Sequence, residues 1–415
     1  MNILFLNTSD QLGGAAIAAK RLSKALKKEQ VEVSMLVRDK TSKDFSTISI
    51  HQSPKLAYNF IAERIKIWIA NGLSRKNLFA VSIANTGSSI VNLPEFKEAD
   101  IIHLHWINQG FISLKEIEKI IDSGKPIVWT MHDMWPITGI CHHARSCIKY
   151  TTECENCPFL TQNKKKDLAY HTFKIKKTLY AKGHINFVGC SQWLTLKAKD
   201  SILTLNQTVM NIPNPIDTDL FQPINKAQCR DHFNLPQNLK LILFGAVKTT
   251  NKRKGIDYFM NACLELLQSS TSPIGVVLYG KDSDQLKDNL PLPTYSLGYI
   301  AEEQEIIQLY NAVDLFVLPS LEENLPNAIM EAMSCETPCV GFDIGGISEL
   351  IDHLHNGYVA QYKSSTDLAQ GMRWVLTNNT NQGLSKQARR KVIDTFSERT
   401  IAKSYISLYN KILRQ

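Results

Sequence analysis

The chain has 415 residues, of which 44% are hydrophobic and 21% are charged. This composition is typical of a globular protein with room for two domains of about 200 residues each. No apolar run approaches the roughly 18 residues of a membrane-spanning helix, and no basic segment precedes the short apolar run at the start. We therefore expect a cytoplasmic protein with neither a membrane span nor a signal peptide.

The positive charge is concentrated in the first half of the chain. Residues 1–208 carry 28 Lys and Arg against 17 Asp and Glu, whereas the remaining residues carry 19 against 22. A basic half suggests peripheral contact with an anionic surface, such as membrane lipid headgroups or a phosphorylated acceptor, and a solvated lysine-rich face is the alternative. Nucleic acid is not expected as a partner, because aromatic residues do not interleave with the basic runs.

A strand over residues 2–6 opens the chain and leads to a glycine pair, Gly13 and Gly14. A helix through about Lys28 and a strand over 31–37 follow, which together predict a βαβ unit. The glycine pair would let a phosphate or a sugar approach the backbone closely, because glycine carries no side chain. A tight turn without a ligand would explain the same residues.

Residues 54–73 predict an amphipathic helix whose apolar residues share one face. These residues are Leu56, Phe60, Ile61, Ile65, Trp68 and Ile69. The face would pack in the core or line an acceptor site. Contact with a membrane surface is the alternative, because lysine and arginine lie beside or opposite the apolar face.

Two buried strands, over 100–106 and 126–133, end in polar residues. In a parallel sheet the carboxyl ends of the strands form the edge at which ligands bind. The first strand carries His103 and His105, whose alternation predicts that both side chains point to one face. We favour a structural role for these two, and His132 lies at the end of the second strand.

A cysteine-rich insertion over 141–157 follows, with four thiols: Cys141, Cys147, Cys154 and Cys157. The last two form a C-x2-C pair, and such a set predicts a tetrahedral zinc site in a reducing compartment. Four thiolates would leave no open position for catalysis, so the zinc would be structural. Unligated thiols or a redox pair are the alternatives.

The pattern of strands and helices starts again after a proline-rich linker over 212–223, and we place the domain boundary near 210. A strand then precedes a basic loop that carries Lys248, Arg253 and Lys254. Cations on a loop at the end of a strand suit a phosphate. A solvated basic turn is the alternative.

A further buried strand leads into a polar turn and a helix predicted to begin near Pro326. Two carboxylates, Glu323 and Glu331, lie eight positions apart, one on the turn and one two turns into the helix. The open helix start, with the backbone N–H groups of Asn324 and Leu325, would bind an anion such as a phosphate. The acids would hold sugar hydroxyls, or they merely form a solvated helix start.

Together these segments resemble the retaining glycosyltransferases of family 4, which have the GT-B fold. The motifs that carry the resemblance are E-x7-E from Glu323 to Glu331, Gly13-Gly14, Thr130-Met-His-Asp133, Ser191-Gln-Trp-Leu194, the linker over 212–221 and Lys254-Gly255. The motifs span nearly the whole chain and fall in the order and at the spacing of that family.

The resemblance implies an α/β protein with two Rossmann-like domains, each with a parallel sheet, and a cleft between them. Residues 1–209 would form the acceptor-side domain, and residues 210–394 would form the domain that binds the nucleotide sugar. Residues 395–415 would form a helix that returns to the first domain.

The resemblance also implies roles for individual residues. Lys254 would bind the donor diphosphate, and Gly14 would allow its close approach from the opposite domain. Glu323 would bind the hydroxyls of the donor sugar and Glu331 the ribose. His132 would contact the donor sugar from the first domain.

One position departs from the family pattern. The arginine that usually partners the diphosphate lysine is replaced by Ala246. Arg253 or Lys248 would then reach the phosphate instead. Two Asp-x-Asp strings, at 217–219 and 282–284, occur in the sequence, and we interpret them as chance, so transfer would need no metal ion.

The implied function is retaining transfer of a sugar from a UDP- or GDP-sugar to a glycan or lipid-linked acceptor. The setting would be bacterial surface-polysaccharide synthesis, with the protein in the cytoplasm or at the inner face of the membrane. No cofactor would be required for catalysis. A sugar-nucleotide 2-epimerase of the same fold and a non-catalytic binding protein are the alternatives.

Overall fold

The computed structural model of the chain describes residues 1–50, 53–162, 164–269 and 273–414. The chain forms two compact units, Met1–Pro215 with Ile401–Gln415, and Ile216–Thr400. Each unit is built on a parallel sheet that is flanked by helices, so the predicted pair of Rossmann-like α/β domains is confirmed. The second unit begins at Ile216, whereas we placed the boundary near 210.

Among the described residues of the first unit, seven strands form the sheet: β1 (Asn2–Ser9), β2 (Glu32–Asp39), β3 (Thr47–Ser49), β4 (Ile101–Leu104), β5 (Ile127–Met131), β6 (Ile185–Gly189) and β7 (Thr208–Asn211). They are accompanied by the helices α1 (Gly14–Lys28), α2 (Ser53–Ala70), α3 (Pro94–Glu98), α4 (Leu114–Asp122), α5 (Leu168–Tyr180) and α6 (Gln192–Asp200). The strands lie in the order β3-β2-β1-β4-β5-β6-β7, so the order reverses between β1 and β4.

In the part of the second unit that the structure describes, six strands form the sheet: β8 (Lys240–Lys248), β9 (Ile274–Lys281), β10 (Thr294–Ser296), β11 (Leu315–Leu318), β12 (Cys339–Phe342) and β13 (Gly357–Ala360). The helices that follow α6 are α7 (Lys226–His232), α8 (Ile256–Ser269), α9 (Ser283–Lys287), α10 (Glu303–Ala312), α11 (Asn327–Ser334), α12 (Ile347–Leu350), α13 (Ser365–Asn378), α14 (Gly383–Phe396) and α15 (Glu398–Leu413). The strand order β10-β9-β8-β11-β12-β13 reverses between β8 and β11.

Residues of β1 alternate between the two faces of the first sheet. Ile3 and Phe5 pack with residues of α1 and α15, whereas Leu4 and Leu6 belong to the core on the opposite face. Both faces of the sheet are therefore covered, which explains why its strands are nearly continuous apolar runs. Helix α15, at the end of the chain, completes the core of the first unit.

Helix α2 differs from the prediction in the side that it buries. Asn59 and Glu63 are buried, whereas Ile61, Ile65 and Ile69 are exposed. The Glu63 carboxylate accepts two backbone N–H groups from the segment that follows the helix, at 2.8 and 2.9 Å, and this contact holds the polar side of the helix inward. The prediction that the apolar face packs in the core is therefore wrong for these three isoleucines.

Several elements were not predicted from the sequence, among them β7, α5 and α14. Strand β7 pairs with β6 and forms the edge of the first sheet. Helices α5 and α14 lie in segments for which no helix was predicted. No helix in the described ranges is long and apolar enough to cross a membrane.

Candidate functional site

In each sheet, the residues predicted to bind a ligand follow the two strands between which the strand order reverses. In the second sheet β8 and β11 are paired neighbours; the basic loop begins at the end of β8, and the acidic turn follows β11. In the first sheet β1 and β4 are paired neighbours, with Gly13 after β1 and His105 after β4. Such reversal points are where ligands bind in open α/β sheets.

The two loops of the second unit touch through their backbones. The backbone N–H of Leu321 donates to the carbonyl of Arg253 at 2.8 Å. Gly255 has a φ of +74°, and a Cβ there would lie only 1.8 Å from the carbonyl oxygen of Pro319. A glycine is therefore required where the basic loop meets the end of β11.

This contact brings Lys254 and Glu323 together. The Lys254 ammonium and the Glu323 carboxylate form a direct ion pair. One residue earlier on each loop, Arg253 Nη1 lies 3.7 Å from Glu322 Oε2, with the arginine exposed and the carboxylate largely buried. Two cations and two carboxylates thus lie at the edge of the sheet where β8 and β11 end.

Lys248 has a different partner. It ends β8, is exposed, and its ammonium lies 3.4 Å from the carboxylate of Asp282, which follows β9. The neighbouring Ala246 stands where a longer side chain was expected, and a Cβ on Gly280 would lie 1.8 Å from its carbonyl oxygen. The close approach of β9 therefore restricts the backbone at Ala246.

Glu331 lies on α11 and is oriented by a tyrosine of α10. The Tyr310 hydroxyl donates to Glu331 Oε2 at 3.2 Å. Burial raises the pKa of Tyr310 well above its usual value and the pKa of the adjacent Tyr279 to about 12, so both stay protonated. The sequence analysis missed these tyrosines. Their signal is weak, because each lies on an ordinary helix or strand.

The turn that holds Glu323 rests on the glycine pair before α12. The backbone N–H of Gly346 donates to the carbonyl of Asn324 at 2.5 Å, and a Cβ on Gly345 would lie 2.1 Å from the Glu323 carbonyl oxygen. Asn324 and Leu325 are both buried, just before α11 begins. The acidic turn is thus fixed by backbone contacts on two sides.

In the first unit, the glycine pair lies after β1. Gly13 has a φ of +92° and precedes α1, which begins at Gly14. No described atom lies within 4 Å of the position that a Cβ on Gly13 would take. The glycine is therefore explained by its backbone conformation, and there is space beside its Cα.

Three histidines lie at the carboxyl ends of β4 and β5. His105 Nδ1 and His132 Nε2 share a hydrogen bond of 3.0 Å, and the rings of His103 and His105 stack with centroids 4.3 Å apart, as their alternation predicted. His103 also bonds Thr130 and Tyr409, each at 2.7 Å, which ties β4 and β5 to α15. A structural role thus suits His103.

Burial keeps these histidines uncharged at neutral pH. Burial lowers the pKa of His132 to about 4, against an opposite effect of Asp133. It also brings the pKa values of His103 and His105 well below their usual range, and the neighbouring imidazoles lower these two further. Within the described residues, the buried Nε2 of His105 has no hydrogen-bond partner. Such an unsatisfied atom at a ligand-binding edge suits a polar ligand or a water.

Asp133, next to His132, is held by three donors. Trp106 Nε1 and His142 Nδ1 each donate to Asp133 Oδ2 at 2.7 Å, and the backbone N–H of Trp135 donates to Asp133 Oδ1 at 2.8 Å. Burial opposes ionisation, but His142 and these hydrogen bonds hold the pKa of Asp133 at about 2. Asp133 therefore fixes the segment after β5 and so helps to position His132.

Three of the four cysteines of the insertion are buried and Cys147 is half-buried. Burial raises the pKa of Cys154 to about 11 and of Cys157 to about 12, and neighbouring thiols add to both increases. The backbone N–H of Gly139 donates to Cys154 Sγ at 3.3 Å. Across the part of the chain that the structure describes, no three His, Cys, Asp or Glu side chains are placed to hold a metal ion. The zinc site stays a prediction.

A buried lysine holds the segment that leads into the insertion. Lys176 Nζ donates to the carbonyls of Trp135 at 2.6 Å and Thr138 at 3.0 Å and lies 3.5 Å from the centre of the Trp135 ring. Burial lowers its pKa to about 7, against an opposite effect of Cys154 and Cys141. The sequence analysis missed this lysine, although its spacing from other buried residues of α5 was a signal.

Comparison with known proteins finds a family model that matches part of the second unit. Residues 238–378 match the family model described as "Glycosyl transferases group 1". A curated relative, the N-acetyl-alpha-D-glucosaminyl L-malate synthase of Bacillus anthracis, is 23% identical over 213 residues, which cover 50% of this chain and 55% of the relative. An uncharacterized glycosyltransferase of Methanocaldococcus jannaschii is 25% identical over 374 residues, 82% of this chain and 92% of the relative.

A third relative is the UDP-Gal:alpha-D-GlcNAc-diphosphoundecaprenol alpha-1,3-galactosyltransferase of Escherichia coli. It is 26% identical over 196 residues, which cover 45% of this chain and 50% of the relative. The chain thus spans about half the length of two of these three relatives.

Solved structures share the fold over the whole chain. A glycosyltransferase from Rickettsia africae superposes with a TM-score of 0.68 at 16% identity, covering 100% of this chain and 99% of that one. The Anabaena protein HepE, solved in complex with UDP, gives a TM-score of 0.64 at 16% identity, covering 99% and 100%. At these identities the likeness shows the fold, and the predicted GT-B fold is confirmed.

Proposed function

We propose that this chain, a group 1 glycosyltransferase, moves a sugar from a nucleotide-sugar donor to a glycan or lipid-linked acceptor. Transfer retains the anomeric configuration and needs no metal ion. The observation that carries the proposal is the contact between the basic loop after β8 and the acidic turn after β11, with Lys254 paired to Glu323. This edge offers cations for a diphosphate and carboxylates for hydroxyls.

The first requirement of the reaction is to neutralise the departing diphosphate. Lys254 binds it, and Arg253 takes the place of the arginine that Ala246 replaces. The backbone N–H groups of Asn324 and Leu325, at the start of α11, complete the cradle. Lys248 is a weaker candidate in this arrangement, because its ammonium faces Asp282.

The second requirement is to orient the sugar and the nucleoside. Glu323 accepts hydrogen bonds from hydroxyls of the donor sugar, and Glu331, oriented by Tyr310, accepts them from the ribose. Carboxylates suit this role because they accept several hydrogen bonds at once. Neither acid needs to transfer a proton.

The first unit contributes Gly13, Gly14 and His132. The glycines allow the backbone before α1 to approach the donor phosphates. Because His132 is uncharged at neutral pH, it hydrogen-bonds to the donor sugar rather than neutralising a phosphate. The acceptor attacks from the face that the diphosphate leaves, and a phosphate oxygen takes the acceptor's proton, which retains the anomeric configuration.

The names of related proteins support a choice of substrates. The E. coli relative is named for a UDP-sugar and a diphosphoundecaprenol-linked acceptor, and HepE was solved with UDP. For this chain we propose a UDP-sugar as the donor, with a GDP-sugar as the second choice, and a lipid-linked acceptor. The setting is bacterial surface-polysaccharide synthesis, in the cytoplasm and at the inner face of the membrane.

A structural zinc in the insertion is a separate proposal. Cys141, Cys147, Cys154 and Cys157 would bind it as thiolates. The N–H bond from Gly139 to Cys154, which would stabilise a thiolate, supports it, and zinc binding would have to draw the four described cysteines closer together. Metal analysis of the purified protein should give one zinc per chain, and less after Cys154→Ser. A metal-free protein with unchanged folding would contradict it.

Release of nucleoside diphosphate, with and without lipid acceptor, tests the function. The wild type is screened against UDP-, GDP- and ADP-sugars, and then compared with Glu323→Ala and Lys254→Ala. Both substitutions should reduce release at least about a hundredfold, because each removes a charged contact to the donor. Lys391→Ala, which breaks an ion pair with Asp352 elsewhere in the same unit, is the matched control. Wild-type rates in both site variants would contradict the assignment.

A further inference from the structure

Helix α2 carries its polar residues on its inner side. The carboxylate of Glu63 is fully buried, accepts the backbone N–H groups of Ile83 and Ala84, and pairs with Arg64 at 2.9 Å. Arg64 in turn donates to the carbonyl of Val81 at 3.0 Å. These contacts attach the segment over 81–84 to the helix and leave the opposite side of α2 to solvent.

That outer side is apolar. Its exposed residues recur every three or four positions: Tyr58, Ile61, Ile65, Ile69 and, just beyond the helix, Leu73. Between 48% and 68% of each residue is exposed. Single exposed apolar residues are common on a protein surface, but a continuous stripe over about three helical turns marks an interaction surface.

The charges around the stripe have one sign. Between residues 53 and 79 the exposed charged residues are Lys55, Lys66, Arg75 and Lys76, and the only acid, Glu63, is buried. Three further exposed lysines, at 164–166, lie close along the chain to Thr161, whose backbone N–H donates to Asn71 at the end of α2.

We propose that the outer face of α2, defined by Tyr58, Ile61, Ile65, Ile69 and Leu73, docks on a lipid bilayer that contains anionic headgroups. The apolar stripe would enter the boundary between headgroups and acyl chains, and the lysines and arginines beside it would contact lipid phosphates. A second copy of the chain is a poorer partner, because pairing two such faces would bring like charges together.

This surface does not depend on the donor site. It goes beyond the proposed function by stating how the protein reaches a lipid-linked acceptor. If the protein binds bilayers but transfers no sugar, the docking surface is supported and the proposed function is contradicted. If it transfers sugar but does not bind bilayers, the proposed function is supported and the docking surface is contradicted.

Co-sedimentation with vesicles tests the proposal. The full chain should bind vesicles of phosphatidylcholine mixed with phosphatidylglycerol, and it should bind those of phosphatidylcholine alone far more weakly. The triple variant Ile61→Ser, Ile65→Ser, Ile69→Ser should lose at least about tenfold in affinity for the anionic vesicles. The double variant Ile175→Ser, Leu196→Ser, at similarly exposed sites on α5 and α6, is the matched control and should bind as the wild type does.

A second measurement does not rely on substitution of the stripe. Trp68 lies on α2, so brominated lipid should quench tryptophan fluorescence in the wild type and quench it less in Trp68→Phe. Equal vesicle binding by the triple variant and the wild type would overturn the proposal. So would a stable dimer in sedimentation that the triple variant loses, because the stripe would then be covered by a second copy.

Discussion

The ammonium of Lys254 and the carboxylate of Glu323 are in direct contact, across the junction of the loops after β8 and β11. The cation proposed for the donor diphosphate is thus held by the acid proposed for the donor sugar. An arriving diphosphate competes with Glu323 for Lys254, and Glu323 is then released to accept sugar hydroxyls. Binding of the phosphate and orientation of the sugar are therefore coupled.

This coupling predicts opposite effects on binding and on transfer in Glu323→Gln. The amide keeps the size of the side chain but no longer holds Lys254 by charge, so UDP should bind as tightly as before or up to about tenfold more tightly. The rate of sugar transfer should fall at least about a hundredfold. Calorimetry with UDP and a transfer assay measure the two quantities. Asp352→Asn, at an ion pair outside the site, is the control, and a large loss of UDP affinity in Glu323→Gln would contradict the coupling.

The junction of the two loops depends on Gly255. Alanine there adds a Cβ against the Pro319 carbonyl at a φ of +74°, whereas Gly298 has a φ of +66° with no described atom within 4 Å of its Cβ position. Gly298→Ala should lower the free energy of unfolding by about 1 kcal/mol, because backbone strain alone acts there. Gly255→Ala should cost several times as much in the free energy of unfolding and should also weaken UDP binding. Urea unfolding and calorimetry measure both, and equal costs at the two positions would contradict the steric explanation.

Tyr310 is predicted to orient Glu331. Tyr310→Phe removes the hydroxyl that donates to the carboxylate, so the KM for the donor should rise several-fold while kcat changes less. The lost hydrogen bond should also cost about 1–3 kcal/mol of stability. Tyr358→Phe removes a similar bond, to Asp367 at 2.7 Å, and should lower stability without changing the donor KM. An unchanged KM in Tyr310→Phe would contradict the role of this tyrosine.

The buried histidines predict how the stability of the first unit depends on pH. In the unfolded chain each takes up a proton near pH 6.5, whereas burial keeps the pKa of His132 at about 4 and those of His103 and His105 well below the usual value. The unfolded state thus binds more protons below about pH 6.5, and the free energy of unfolding falls as the pH is lowered from 6.5 to 4. His132 alone should contribute on the order of 3 kcal/mol, since one pKa unit corresponds to about 1.4 kcal/mol.

Tryptophan fluorescence reports mainly on this unit, because five of the six tryptophans lie within residues 1–215. Urea midpoints measured from pH 7 to pH 4 should decrease, and His132→Gln should show a shallower decrease. Asp133, whose pKa is about 2, changes the pH dependence of stability only below about pH 4, where its stabilising effect is gradually lost. The same slope in the wild type and in His132→Gln would show that His132 gains a proton as easily in the folded state as in the unfolded one.

The sequence predicted the elements that have a simple pattern. Parallel strands buried on both faces are continuous apolar runs, so β1, β4, β5, β8 and β11 were recognised. Helix α14 was missed because its charged residues dominate, although Leu384, Ala388 and Val392 recur every four positions and are buried. The apolar face of α2 was recognised, but its direction depends on where the Glu63 carboxylate finds donors, which no local pattern shows.

Site residues could be predicted where the order of strands and loops along the chain places them at the edge of a sheet. Lys254 and Glu323 were each assigned from a strand followed by a polar loop, and their ion pair follows from the pairing of β8 with β11. Contacts that depend on tertiary packing were not predictable. Tyr310 looks like an ordinary helix residue until the fold brings Glu331 to it. The spacing of Lys176 indicates burial, but its partner, the Trp135 carbonyl, is known only from the fold.

The most direct test of the central claim is calorimetric titration of UDP into the full chain in the presence of EDTA. The account predicts that UDP binds without a divalent metal ion and that Lys254→Ala weakens binding at least about tenfold, while Lys391→Ala leaves it unchanged. Binding that requires Mg²⁺, or equal binding by Lys254→Ala and the wild type, would contradict it.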